Sequence, residues 1–226
     1  MKCLRHLAAA SALLVLAYAA PASATIVFTF NQGGCSPGGA PSGCGAGPFG
    51  TVTLTQSGLG VVDVLVGLNP GVGFVNTGLE TFAFNVAGFT LTAANFSAFT
   101  TGFSFDAGFL NSGVDGAGTF QYGLACSTAT CGTGGNQPFA GPLHFIVSAT
   151  GLTEASFTAN ANGNYFVADI CNSFRPGSGC QGLTGAIWTN GPGTVIPPRV
   201  VPEPGSLVLL GMGLLAFAAR RRARQG

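Results

Sequence analysis

Thr81-Phe82-Ala83-Phe84-Asn85-Val86-Ala87 decides the fold class. Large apolar side chains fall on every second residue: Phe82, Phe84 and Val86 on one face, Ala83 and Asn85 on the other. Side chains of an extended chain alternate between faces, so this period of two predicts a half-buried β-strand. The same Phe-x-Phe spacing recurs at Phe28/Phe30 and Phe103/Phe105. Its intervals are unequal, which marks strand alternation and not an internal repeat.

Working outward, Thr25–Phe30, Thr51–Gln56, Val61–Leu68, Thr119–Ala125, Leu143–Ala149 and Thr184–Trp188 read as further strands. Ser156–Ala161 and Tyr165–Cys171 read as a hairpin around Asn162-Gly163. Thr90–Phe105 fits two readings. Ala93, Phe96 and Phe99 line one face of a short helix, whereas Phe103 and Phe105 return to strand spacing. Nine or ten short strands without convincing helices predict an all-β domain, a β-sandwich or jelly-roll-like fold over residues 25–189. Of 19 phenylalanines nearly all lie in this part and supply its core. A Pro/Gly linker is expected over 190–201.

Both ends of the chain read as addresses. Lys2 and Arg5 precede an apolar run, Leu7–Ala17, and Ala22-Ser23-Ala24 forms a small-residue cleavage site. That order predicts a signal peptide over 1–24 and an exported chain beginning near Thr25. At the other end stand Val201-Pro202-Glu203-Pro204, an apolar segment Gly205–Ala219, and Arg220, Arg221 and Arg222. Pro202 and Pro204 fix φ and lack an N–H, so this tripeptide is extended and open to another protein. The apolar segment spans roughly 22 Å as a helix, short of the ~30 Å hydrocarbon core. A short transmembrane helix of that length is a marginal anchor, and its arginines are expected on the cytoplasmic side of the inner membrane.

Proline–glutamate–proline, a short apolar run and a closing arginine cluster resemble the PEP-CTERM sorting signal of Gram-negative bacteria. The resemblance is confined to Val201–Arg222, within a C-terminal unit of 202–226. It implies recognition by an exosortase, a membrane-embedded cysteine transpeptidase-like enzyme that cuts near Pro-Glu-Pro. It also implies release to the cell surface or extracellular matrix, with a link to exopolysaccharide and biofilm.

The whole chain carries a formal charge of +1, but Lys2, Arg5, Arg220, Arg221, Arg222 and Arg224 all lie in the two addresses. Thr25–Pro202 holds Asp63, Glu80, Asp106, Asp115, Glu154 and Asp169 against Arg175 and Arg199 alone. Without a basic patch, nucleic acid is not an expected partner. Once Cys3 leaves with the signal, six cysteines remain: Cys35, Cys44, Cys126, Cys131, Cys171 and Cys180. Six cysteines allow 15 connectivities. Local pairing of each successive couple is expected, because each brackets a Gly/Pro-rich or small polar loop. Each bond then adds about 2–3 kcal/mol in the chain-entropy model. A metal site is the rival reading, but no Cys-x-x-Cys occurs and His144 is the only mature histidine.

Catalytic patterns are weak. Gly34-Cys35-Ser36-Pro37-Gly38 fits a nucleophile elbow by letter, yet Pro37-Gly38-Gly39-Ala40-Pro41 cannot start the helix such an elbow needs. Gly45-Ala46-Gly47-Pro48-Phe49-Gly50 precedes a strand and so reads as a loop. Asp63 and Asp169 lie mid-strand, each read as a solvent-facing acid, and act on a glycosidic bond only if they stand ~5–9 Å apart. Asp106 and Asp115 flank Gly-rich loops without the spacing of a calcium loop. His144 reads as a surface or satisfied side chain. Trp188, Tyr165 and Tyr122 are candidates for stacking on sugars. No catalytic residue, metal or cofactor is assigned. The expectation is a non-enzymatic surface protein. A carbohydrate-binding or adhesive module is the alternative, with a secreted glycoside hydrolase behind it.

Overall fold

A single antiparallel sheet rolls up around the phenylalanines. The computed structural model describes residues 25–35, 43–77, 80–114, 116–132 and 134–197. The expected signal peptide, the sorting tail with its apolar segment, Ser36 and Asp115 all lie outside them. No helix among the described residues is long and apolar enough to cross a membrane.

Fourteen strands occur among the described residues: β1 Thr25–Cys35, β2 Gly50–Gly58, β3 Val61–Leu68, β4 Gly73–Phe74, β5 Phe82–Phe84, β6 Phe96–Ser97, β7 Phe103–Asp106, β8 Ser112–Val114, β9 Gly118–Phe120, β10 Tyr122–Cys126, β11 Leu143–Ser148, β12 Asn164–Cys171, β13 Thr184–Asn190 and β14 Thr194–Ile196. One helical turn, α1, covers Thr128–Cys131. Ten strands form one path in the order β6-β11-β3-β2-β1-β13-β12-β5-β10-β7; β14 pairs with β1, and β4 with β12. β8 and β9 form a separate hairpin.

The sheet curls until distant strands meet. Phe82 and Phe84 of β5 lie 5.9 and 5.8 Å, ring to ring, from Phe145 of β11. Those strands are six places apart in the sheet order. Its first and last strands, β6 and β7, are joined by a short segment, and Phe96 stacks on Phe105 at 4.6 Å across that join. The all-β expectation therefore holds. The fold takes the form of a barrel- or sandwich-like sheet whose opposed faces are joined by unbroken hydrogen bonding.

The opening stretch is a central strand and not half-buried. Phe82 and Phe84 face the main core, while Ala83, also fully buried, faces outward beneath Phe109, Val114, Ala117 and Phe120. The excursion that carries β8 and β9 lies over the outer surface of the sheet, where Val167, Ala186 and the half-buried Trp188 join the same cluster. Alternation in sequence reports side-chain chemistry, and an alanine is compatible with either solvent or a covering loop.

Four local expectations change. Thr119–Ala125 is two strands, because the chain kinks at Gln121. Phe120 enters the outer cluster and Tyr122 and Leu124 the main core. The kink is held by the Gln121 N–H donating to Asn85 Oδ1 at 2.7 Å and Gln121 Oε1 accepting from the Val86 N–H at 2.9 Å. Ser156–Ala161 forms no hairpin strand; Phe157 makes an isolated bridge to Val86 instead. In Thr90–Phe105 the helical and extended readings both apply in turn: Ala93–Asn95 is a 3-10 turn, and strands β6 and β7 follow. The expected linker starts later, since Asn190 belongs to β13 and Thr194–Ile196 pairs with β1.

Three disulfides join Cys35 to Cys44, Cys126 to Cys131, and Cys171 to Cys180. They gather at one end of the sheet. Cys35 closes β1 opposite Gly185, Cys171 closes β12 opposite Thr184, and Cys126 closes β10. The chain enters at Thr25 and leaves through Ile196, paired with it, at the other end. The Cys126–Cys131 bond brackets the single turn of α1, too short to persist by itself. Replacing both cysteines by alanine is expected to cost about 2 kcal/mol, read as a lower urea midpoint. An unaltered midpoint would show that the bond is dispensable.

Candidate functional site

The residues singled out by sequence do not converge. Asp63 on β3 and Asp169 on β12 are four strands apart in the sheet order, about 19 Å along the sheet at ordinary strand spacing. They do not form a carboxylate pair. Asp169 is not solvent-facing either: it is fully buried. Its Oδ2 accepts from the Thr77 hydroxyl and N–H, while no donor reaches Oδ1. Burial pushes its pKa up to about 6 despite those Thr77 bonds.

His144, on β11, finds a partner on the neighbouring strand. Its Nε2 lies 3.0 Å from both oxygens of Asp63, and its Nδ1 3.1 Å from the Ala98 carbonyl. The backbone N–H of His144 donates to the Thr100 hydroxyl at 2.8 Å. The pair thus pins residues 98–100, the segment joining the two edges of the sheet, where Ala98 holds a left-handed φ of 52°. Sequence did not foretell this pairing. It depends on the register that sets Ile146 opposite Asp63, with His144 diagonal to it.

A close carboxyl pair does exist, between Glu80 and Asp106. Burial lifts the Glu80 pKa to about 8, helped by its hydrogen bond to Asp106 and by that neighbour's negative charge. Asp106 is held low by the bond from Glu80 and by the Gly108 N–H. No donor reaches the buried Oε2 of Glu80. Among the described residues no group of three or more His, Cys, Asp or Glu side chains is placed to hold a metal.

All three stacking candidates pack against the domain. Tyr165 lies against Phe28 at 4.9 Å, ring to ring. The indole of Trp188 sits between Gly34 and Gly116: a Cβ added there would come within 3.4 and 3.2 Å of it. Tyr122 is buried, and its hydroxyl donates to the Phe89 carbonyl at 2.8 Å.

What the fold does build is a solvent-open cleft of about 250 Å³, at the end of the sheet opposite the disulfides. It is lined chiefly by Asn85, Asn111, Thr119, Gln121, Thr158 and Asn160. The kink at Gln121 and the loop before β12 form its walls. Asn160 is fixed by accepting from the N–H groups of Asn162 and Asn164 and donating to the Ala117 carbonyl at 2.8 Å. Sequence reading passed over these amides because they lie in four separate segments. The one local signal was Asn85, a polar residue within an apolar alternation.

Comparison with known proteins bears on the tail, not on this domain. Residues 200–222 match the PEP-CTERM protein-sorting motif. The sorting motif contains Val201, Pro202, Glu203 and Pro204 and reaches Arg222, the segment that carried the resemblance. It implies exosortase-dependent sorting of an exported protein, with the exosortase as processing partner and the cell surface or extracellular space as destination. No curated protein and no solved structure matches the chain.

Proposed function

We propose that this is a non-enzymatic component of the cell surface or exopolysaccharide matrix. It is exported by its signal peptide, held briefly in the inner membrane by 205–219, and freed of that tail by an exosortase. The sorting motif at 200–222 carries this reading. Two observations support the non-enzymatic half. The carboxyl of Asp169 is buried in the domain and that of Glu80 half-buried, and His144 spans Asp63 and a backbone carbonyl.

Mass spectrometry of the protein recovered outside the cell tests the sorting step. The expected C-terminus lies near Pro202–Pro204 and the mass lacks the apolar tail. Cells without the exosortase should retain the tail. An intact C-terminus at Gly226 in both strains would overturn the proposal. A carbohydrate-binding module is the second reading, and the uncharged amide cleft is the observation that favours it.

A further inference from the structure

We propose that the cleft around Asn85 and Gln121 binds a neutral, polyhydroxylated ligand, a segment of uncharged polysaccharide. The proposal deepens the surface-protein reading and relies on it only for access to such a polymer.

The lining chemistry excludes charged ligands. Every side chain in the cleft is an amide, a hydroxyl or apolar, and none is charged. Phosphates, carboxylates and ammonium groups would be desolvated there without a counter-charge. Amides suit sugar hydroxyls instead, because an amino group whose own oxygen is held by the protein is left to donate to a hydroxyl oxygen. The alanine methyls of Ala87, Ala159 and Ala161 offer apolar contact for C–H faces. At about 250 Å³ the cleft falls just below the ~300–1,000 Å³ of drug-sized ligand pockets, room for a short segment of a polymer. Openness to solvent lets a chain pass through without having to end there.

The amides are also pre-oriented. Asn85 is 6% exposed, and its Oδ1 is occupied by the Gln121 N–H at 2.7 Å. Gln121 Oε1 is occupied by the Val86 N–H at 2.9 Å. Each amide therefore has its oxygen turned into the protein. The amino groups of Asn85 and Gln121 meet no acceptor among the described residues. A nearly buried amide with an unpartnered donor in a cleft wall is costly unless water or a ligand completes it. Asn111 adds a third amide from a left-handed φ of 57°. Fixed donors lose little freedom when a ligand arrives, which favours binding of a flexible polymer.

The test uses the released, disulfide-bonded protein in calorimetric titrations against dextran and laminarin as neutral polymers, alginate as an acidic one, and hexaglycine as a peptide. Binding to a neutral polymer is expected. Gln121→Glu keeps the oxygen that accepts from Val86 but removes the amino donor, and should weaken binding at least tenfold. Asn111→Gly keeps the left-handed backbone, removes the amide and should weaken it severalfold. If Gln121→Glu fails to fold, Thr158→Val serves in its place. Affinity unchanged in these variants, tighter binding to alginate or hexaglycine, or no binding to either neutral polymer would each overturn the proposal. None of these results bears on sorting, which is read from the mass of the C-terminus.

Discussion

Phe84→Ala should destabilise the domain by about 4 kcal/mol, near the top of the range for core truncations. Phe84 is fully buried. Its ring meets Phe82 and Tyr122 at 5.9 Å, Phe145 at 5.8 Å, Phe157 at 5.6 Å and Phe96 at 6.2 Å. These partners come from β5, β10, β11, β6 and the loop before β12, so one ring ties together both walls of the curled sheet. The loss has two parts. Removing the ring forfeits its transfer free energy, and β5, hydrogen-bonded to β10 on one side and β12 on the other, cannot collapse into the space. Aromatic pair geometry adds to the area term, at about 0.5–1.5 kcal/mol per pair. Urea denaturation at constant pH measures the effect. A loss below about 1 kcal/mol would mean that the two walls can close over the cavity.

Stability should fall as pH rises from 4.5 to 9, the reverse of a protein held by salt bridges. Asp169 and Glu80 both have folded-state pKa values raised above their ordinary ones, to about 6 and about 8. A raised folded pKa means that the folded state keeps its proton longer than the unfolded chain does. Their contribution is whole below the ordinary carboxylate values and is lost as pH climbs through about 6 for Asp169 and about 8 for Glu80. Asp106 acts oppositely, since its pKa is lowered, and its contribution disappears only in stronger acid. At about 1.4 kcal/mol per pKa unit, Asp169 accounts for about 2 kcal/mol of the decline. Glu80 is only half buried, and solvent screening reduces its share to about 1 kcal/mol. Urea midpoints at pH 5 and 9 should differ accordingly, and Glu80→Gln should flatten the limb above pH 7. A midpoint that rises with pH would refute both assignments.

Local chemistry made much of the fold readable. Phe82 and Phe84 announce a strand through spacing alone, and the three cysteine couples bond locally because a short loop brings each pair within reach. The kink at Gln121 was hidden. Apolar alternation runs through it, and only the amide of Asn85, thirty-six residues away in sequence, shows where the ladder breaks. Asp169 misled for a related reason. A mid-strand acid normally faces water, but here the segment carrying Thr77 covers it.

The sequence by itself determined the sorting motif at 200–222, the all-β class and the disulfide pairs. Each is written in contiguous residues: a signal of ordered zones, a period of two, a pair of thiols across a loop. Only the tertiary structure decided which face of Ala83 is covered, that Glu80 meets Asp106, that His144 reaches Asp63, and that four distant segments bring their amides to one cleft. Strand order and register govern those contacts. Both arise from pairing residues remote in the chain, for which a single sequence carries no local mark.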